Sequence, residues 1–122
     1  MYDKELVRET IQLLEKTLEI LLKRVSGITS VHDFLDTENG VILLDSVCMK
    51  LIAVGESVKN LDKIMDKELL VNYPAVNWKD VMGMRDIIVH HYFDVDPDVV
   101  LQTLREDIPL FLGVLKDIES DL

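Results

Sequence analysis

The chain has 122 residues, of which 48% are hydrophobic and 30% charged, and this size and composition predict one globular domain covering residues 1–122. The formal net charge is −10, and residues 86–122 hold nine acidic but two basic side chains. Such a charge repels polyanions at long range and disfavours broad non-specific nucleic-acid binding, so any chemistry on nucleic acid would need a local cationic site.

The first predicted element is a helix from about Asp3 to Val25. Apolar residues four and three positions apart form a seam typical of helix packing: Val7, Ile11, Leu14, Leu18, Leu21 and Val25. A second apolar stripe consists of Leu6, Leu13 and Ile20, so this helix needs two neighbours. It lies either in the middle of a helical bundle or at a dimer interface. Gly27 suits a left-handed residue after the helix end.

The middle of the chain predicts further helices. Residues 28–37 form a connector with a helical turn around Asp33-Phe34-Leu35. Asn39-Gly40 is compatible with a hairpin, but the apolar residues from Val41 to Val58 follow a helical period. This helix contains Cys48, and a single cysteine excludes an internal disulfide framework. Its apolar neighbours predict a buried, unreactive thiol. Leu61 to Val71 predicts another short helix, which Asn72-Tyr73-Pro74 ends.

Two more helices follow. Asn77 is placed to cap a helix that continues to about Tyr92, and Asp96 with Pro97 is a strong helix start. The last helix covers about 97–120, with a kink expected at Pro109. The prediction is an all-α bundle of four to five helices. No segment approaches the roughly 20 apolar residues of a membrane span, and the first residues lack a secretory pattern, so we expect a cytoplasmic protein that does not associate with membranes.

One cluster of polar residues points to chemistry. Arg85, Asp86, His90, His91 and Tyr92 lie within eight positions at the end of an otherwise apolar helix. Arginine presents a fork of donors suited to phosphate, and histidine transfers protons near neutral pH. In an ideal helix Arg85 and His90 point about 140° apart. They would meet at one ligand only if the helix loosens near His90 or if a second chain supplies one of them.

A structural interpretation of the same residues stays open. A cation near a helix C-terminus interacts favourably with the helix dipole. The histidine pair can cap free carbonyls, and Tyr92 can be a half-buried anchor.

These residues resemble the HEPN superfamily and, within it, the HepT-like toxins. The superfamily pattern is an arginine, a polar residue, three to five further residues and a histidine. The segment Arg85-Asp86-Ile87-Ile88-Val89-His90 matches this pattern. Tyr92 matches the tyrosine that HepT proteins have two positions after the histidine. Flanking segments are also similar to HepT, namely Val54-Gly55-Glu56, Trp78-Lys79-Asp80-Val81, Gly83-Met84-Arg85 and Tyr92-Phe93-Asp94-Val95-Asp96. The chain departs from the family at Asp86, where asparagine is frequent, and at the additional His91.

The resemblance implies an all-α, homodimeric, metal-independent endoribonuclease toxin that needs no cofactor and cleaves RNA, such as tRNA or mRNA. Arg85 and His90 would be catalytic, with Asp86 and His91 in support. The implied partner is an MntA-like minimal nucleotidyltransferase antitoxin, which would add AMP to Tyr92. The alternative is a non-catalytic HEPN helical module that binds a nucleotide or a nucleotidyltransferase.

Overall fold

A computed structural model describes residues 2–91 and 94–122, and it describes only the backbone of Leu70, Val89, His90 and His91. The predicted all-α architecture is confirmed, with one short hairpin added. The elements are α1 (Lys4–Arg24), α2 (His32–Leu35), α3 (Glu38–Ile64), α4 (Leu69–Asn72), α5 (Trp78–Met82), α6 (Met84–Ile88), β1 (Val89–His91), β2 (Asp94–Val95), α7 (Pro97–Gln102), a π-helical turn (Thr103–Asp107) and α8 (Ile108–Asp121).

Helix α1 forms where its sequence predicts. Asp3 Oδ1 accepts hydrogen bonds from the backbone N–H groups of Glu5 and Leu6, at 3.1 and 3.2 Å, and so satisfies two donors that the first turn leaves free. The seam from Val7 to Leu21 is buried against α3 and α8. The prediction that Gly27 adopts a left-handed conformation is wrong, because no described glycine has a positive φ.

Helix α3 is the centre of the bundle and contacts α1, α2, α5 and α6. It is longer than predicted, since it begins after the Thr37 cap and runs through Leu61 to Ile64. The separate helix predicted from Leu61 is therefore wrong. Asp66 and Lys67, at φ of 53° and 64°, end α3 in a Schellman motif: the Lys67 N–H bonds the Asp62 carbonyl, and the Asp66 N–H bonds that of Lys63. Helix α4 follows as a single turn.

The C-terminal helical run begins as predicted. Asp96 Oδ1 accepts from the N–H groups of Asp98 and Val99, and Pro97 occupies the first turn. Pro109 has no N–H, and the turn before it is π-helical, with the N–H of Ile108 bonded to the carbonyl of Thr103. The expected disturbance at Pro109 thus takes the form of one wide helical turn.

The core joins these helices into one unit. Trp78 of α5 meets Phe111 of α8 edge to face, with ring centroids 5.6 Å apart. Cys48 is buried as predicted, and burial raises the pKa of its thiol to about 11. No described helix combines the length and hydrophobicity needed to cross a membrane.

Candidate functional site

The segment from α5 to α6 places Arg85 at the surface. Asn77 caps α5 through its side-chain oxygen, which accepts from the Asp80 N–H at 3.2 Å. Gly83 ends α5 by donating to the Lys79 carbonyl, and its own carbonyl accepts from the N–H groups of Asp86 and Ile87. Helix α6 therefore starts one residue after α5 ends, with Arg85 in its first turn.

Two residues of α6 are anchored in the core. Met84 and Ile88 are buried, whereas the intervening Arg85 and Asp86 are exposed. The anchoring depends on Gly55 of α3, because a Cβ there would lie 2.8 Å from the Val81 carbonyl oxygen and 3.2 Å from Met84 Cβ. The close approach of α3 thus fixes the orientation of α6 and with it the direction in which Arg85 leaves the protein.

The helix ends at Ile88, so the predicted helix to Tyr92 is wrong. Strand β1 begins at Val89 and pairs with β2 in antiparallel orientation, with Val89 opposite Val95 and His91 opposite Asp94. The N–H of Asp96 donates to the Ile88 carbonyl at 3.2 Å. A run of β-branched residues, Ile87-Ile88-Val89, favours this change to extended backbone, and it is the sequence signal for the hairpin.

The predicted site residues are therefore divided between two elements. The side chains of Arg85 and Asp86 extend from α6, while the backbones of His90 and His91 lie in β1. The 140° offset between Arg85 and His90 assumed one continuous helix, and it no longer applies. Within one chain, Arg85 and His90 were expected to meet only if the helix loosens near His90. The backbone meets this condition, because the helix ends at Ile88. Tyr92 lies outside the described residues.

Arg85 is unpaired as far as the structure describes the chain: none of the recorded hydrogen bonds or ion pairs involves its guanidinium. A solvent-exposed guanidinium without a protein partner keeps its donors available for an anion such as phosphate. No three potential metal-binding side chains come together among the residues whose side chains the structure describes.

Comparison with known proteins identifies the class. Residues 14–118 match the family described as Ribonuclease HepT-like. The chain is 35% identical over 100 residues to "Putative RNase TTE0752" of Caldanaerobacter subterraneus, covering 82% of each chain. It is 37% identical over 100 residues to "Putative RNase MJ1216" of Methanocaldococcus jannaschii, covering 79% of each. "Probable ribonuclease HepT" of Thermococcus cleftensis is 37% identical over 68 residues, which are 56% of this chain and 58% of the relative.

The match covers most of the chain, so the protein belongs to the Ribonuclease HepT-like family. The resemblance found in the Arg85–Tyr92 segment is confirmed at the level of the family. No solved structure matches this chain.

Proposed function

We propose that this protein is an endoribonuclease that acts as the toxin of a toxin–antitoxin pair in the cytoplasm. The observation that carries the proposal is that Arg85 is exposed, and unpaired among the described residues, on a helix that ends two residues before His90. Membership in a family described as ribonucleases and the names of its relatives support RNA as the substrate. The substrate class would be tRNA or mRNA, and the reaction would need neither metal nor cofactor.

The proposed reaction is transesterification within RNA. His90, with its imidazole neutral, removes the proton of a ribose 2′-hydroxyl, and that oxygen attacks the adjacent phosphorus while the bond to the 5′-oxygen breaks. A protonated histidine, His91 or His90 of a second copy, returns a proton to the leaving oxygen. Arg85 binds the phosphate and stabilises its added negative charge in the transition state. Asp86 orients Arg85 or the histidine. The products are a 2′,3′-cyclic phosphate and a free 5′-hydroxyl.

The test of this proposal removes each group separately. Arg85→Ala and His90→Ala should each lower the rate of RNA cleavage by about 10²–10⁴, with unchanged helical circular dichroism and melting temperature. Arg24→Ala and His32→Ala are the matched controls, because both residues are exposed and lie outside the Arg85–Tyr92 segment. EDTA should have no effect.

Wild-type cleavage by both site variants would refute the nuclease proposal. Folded wild-type protein that neither cuts RNA nor arrests growth on expression would favour the alternative, a non-catalytic HEPN module that binds a nucleotide or a nucleotidyltransferase.

We further propose that an MntA-like nucleotidyltransferase antitoxin neutralises the toxin by adding AMP to the Tyr92 hydroxyl. The added phosphate would compete with RNA for Arg85, and the adenosine would exclude RNA by bulk. Tyr92→Phe should still cut RNA but escape the antitoxin, and intact-mass analysis after co-expression should show AMP on the wild type and none at this site in the variant. Silencing of an unmodified wild type would instead indicate inhibition by binding alone.

A further inference from the structure

A groove with a mainly apolar lining and two carboxylates lies behind the Arg85 helix. It has a volume of about 230 Å³ and is formed by α5, α6, α7, the π-helical turn and α8. Its apolar wall consists of Val76, Val81, Met84, Ile87, Val99 and Leu110. The polar lining consists of Asn77, Asp80, Gln102, Thr103 and Asp107.

The charged residues that line this groove are both acidic. Asp80 and Asp107 contribute carboxylates from α5 and from the end of the π-helical turn, and no described side chain pairs with either. The pKa of Asp107 is raised, first by burial and then by repulsion from Glu106 and from Asp80. A bound cation would relieve this repulsion, whereas a phosphate would increase it.

The apolar rim favours a protein over a free ion. Ile87 is 38% exposed and Leu110 51% exposed at the groove, so both present apolar surface that an ion in the cavity would leave in water. The volume is below the roughly 300–1,000 Å³ of pockets that enclose drug-sized ligands. It suits one long side chain whose aliphatic stem covers the rim and whose charged end reaches the carboxylates.

We propose that this groove is the docking site for a basic amphipathic segment of a partner protein, which inserts an arginine or lysine between Asp80 and Asp107 and packs an aliphatic neighbour on Ile87 and Leu110. This docking requires complementary charge and shape, and it does not depend on nuclease activity. Because Met84 and Ile87 of the groove wall flank Arg85 and Asp86 along α6, the bound partner lies directly beside the proposed catalytic helix. If the proposed function holds, the groove gives a protein access to that helix without crossing the RNA site.

The test uses a designed helical peptide of about 15 residues, with leucine and arginine along one face and alanine elsewhere. Its control is the same peptide with citrulline, the uncharged isostere, at each arginine position. Methyl signals of Met84, Ile87, Val99 and Leu110 should shift saturably with the arginine peptide in NMR titrations, while those of Leu35 on α2, which is 48% exposed, should not. The citrulline peptide should bind at least about tenfold more weakly.

Protein variants locate the site. Asp80→Asn and Asp107→Asn should each weaken binding about two- to fivefold and more in combination, and Leu110→Ala should also weaken it. The matched controls are Asp45→Asn on α3, which removes the same charge elsewhere, and Leu35→Ala on α2, where the leucine is exposed to a similar extent as Leu110. Equal losses in Asp45→Asn, no saturable shift at millimolar peptide, or equal affinity for spermidine would each overturn the proposal. Peptide binding is measured without RNA, so this test of the groove does not depend on whether the proposed nuclease activity is confirmed.

Discussion

Gly55 has no side chain, and this allows the close helix packing that positions Arg85, the proposed catalytic arginine thirty residues later in the sequence. Its Cα allows α3 to approach the backbone of α5 and the start of α6, where any Cβ would lie 2.8 Å from the Val81 oxygen. A backbone carbonyl cannot rotate away as a flexible side chain can, so the helices must separate. That displacement would be transmitted to Arg85, two residues after the glycine that joins α5 to α6.

We therefore predict that Gly55→Ala lowers the free energy of unfolding by about 1–3 kcal/mol and also slows RNA cleavage, measured by urea titration and by an activity assay. Gly113→Ala is the matched control. Nothing lies within 4 Å of a Cβ built at Gly113 in α8, so the same substitution should increase stability by about 0.5–1 kcal/mol and leave cleavage unchanged. Equal stability of the two variants would contradict the argument.

At the scale of elements, a pair of glutamates joins α1 to α8. The Glu15 side chain is 12% exposed, and its Oε1 finds no donor among the described residues. Burial, followed by the hydrogen bond and repulsion from Glu119, raises the pKa of Glu15, while hydrogen bonds from Gln12 and Glu15 lower the pKa of Glu119. A protonated Glu15 would donate to the Glu119 carboxylate, whereas Lys116 Nζ, 3.5 Å from Glu15 Oε2, favours the ionised form and lowers the pKa of Glu15.

The sign of the pH dependence follows from these two shifts. The raised pKa of Glu15 stabilises the fold below the ordinary glutamate pKa, and this contribution is lost as the pH rises through the higher folded value. The lowered pKa of Glu119 acts in the opposite direction, and its contribution is lost at more acidic pH. Glu15→Gln keeps a permanent donor to Glu119. The difference in unfolding free energy between this variant and the wild type should grow in favour of the variant as the pH rises from the ordinary glutamate pKa through the raised pKa of Glu15. A constant difference would rule out the shared proton.

For the whole molecule, the exposed stripe of α1 bears on assembly. Leu6, Leu13 and Ile20 remain at the surface of the single chain, and Leu13 is 63% exposed, so the bundle does not supply the second neighbour that the stripe calls for. A homodimer through α1 would cover it. Light scattering at micromolar concentration should give about twice 14.0 kDa.

The stripe is tested by Leu13→Lys, which should shift the mass to that of the monomer because it places two charges near the two-fold axis. Val71→Lys is the control, since Val71 is more exposed but lies on α4, away from the stripe. A wild type that is monomeric at all concentrations, or a Leu13→Lys variant that stays dimeric, would exclude this interface.

The features that sequence alone predicts here depend on near neighbours. The caps at Asn77 and Asp96 bond N–H groups two or three residues away, so composition and order suffice to find them. The end of α6, in contrast, depends on the pairing of Val89 with Val95 in the hairpin. A search for helical periodicity cannot detect this pairing.

Two other features were hidden for related reasons. The end of α3 uses Asp66 and Lys67 in a conformation that usually identifies glycine, so its signal in the sequence is weak. The acidic groove needs Asp80 and Asp107, which are 27 positions apart in the sequence, and only tertiary packing brings them to one place. Arg85 and Asp86 could be proposed as site residues because the family motif is contiguous, although the local structure after them was predicted incorrectly.

The burial of Cys48 gives this protein an internal reporter of its own unfolding. With a thiol pKa of about 11, the reactive thiolate amounts to about one part in a thousand at pH 8 even before the barrier of the surrounding core is counted. A thiol reagent therefore labels the native chain only during openings that expose the middle of α3. Because the chain has one cysteine, the labelling rate measures the opening of the central helix of the bundle, without any engineered probe and without interference from a second site.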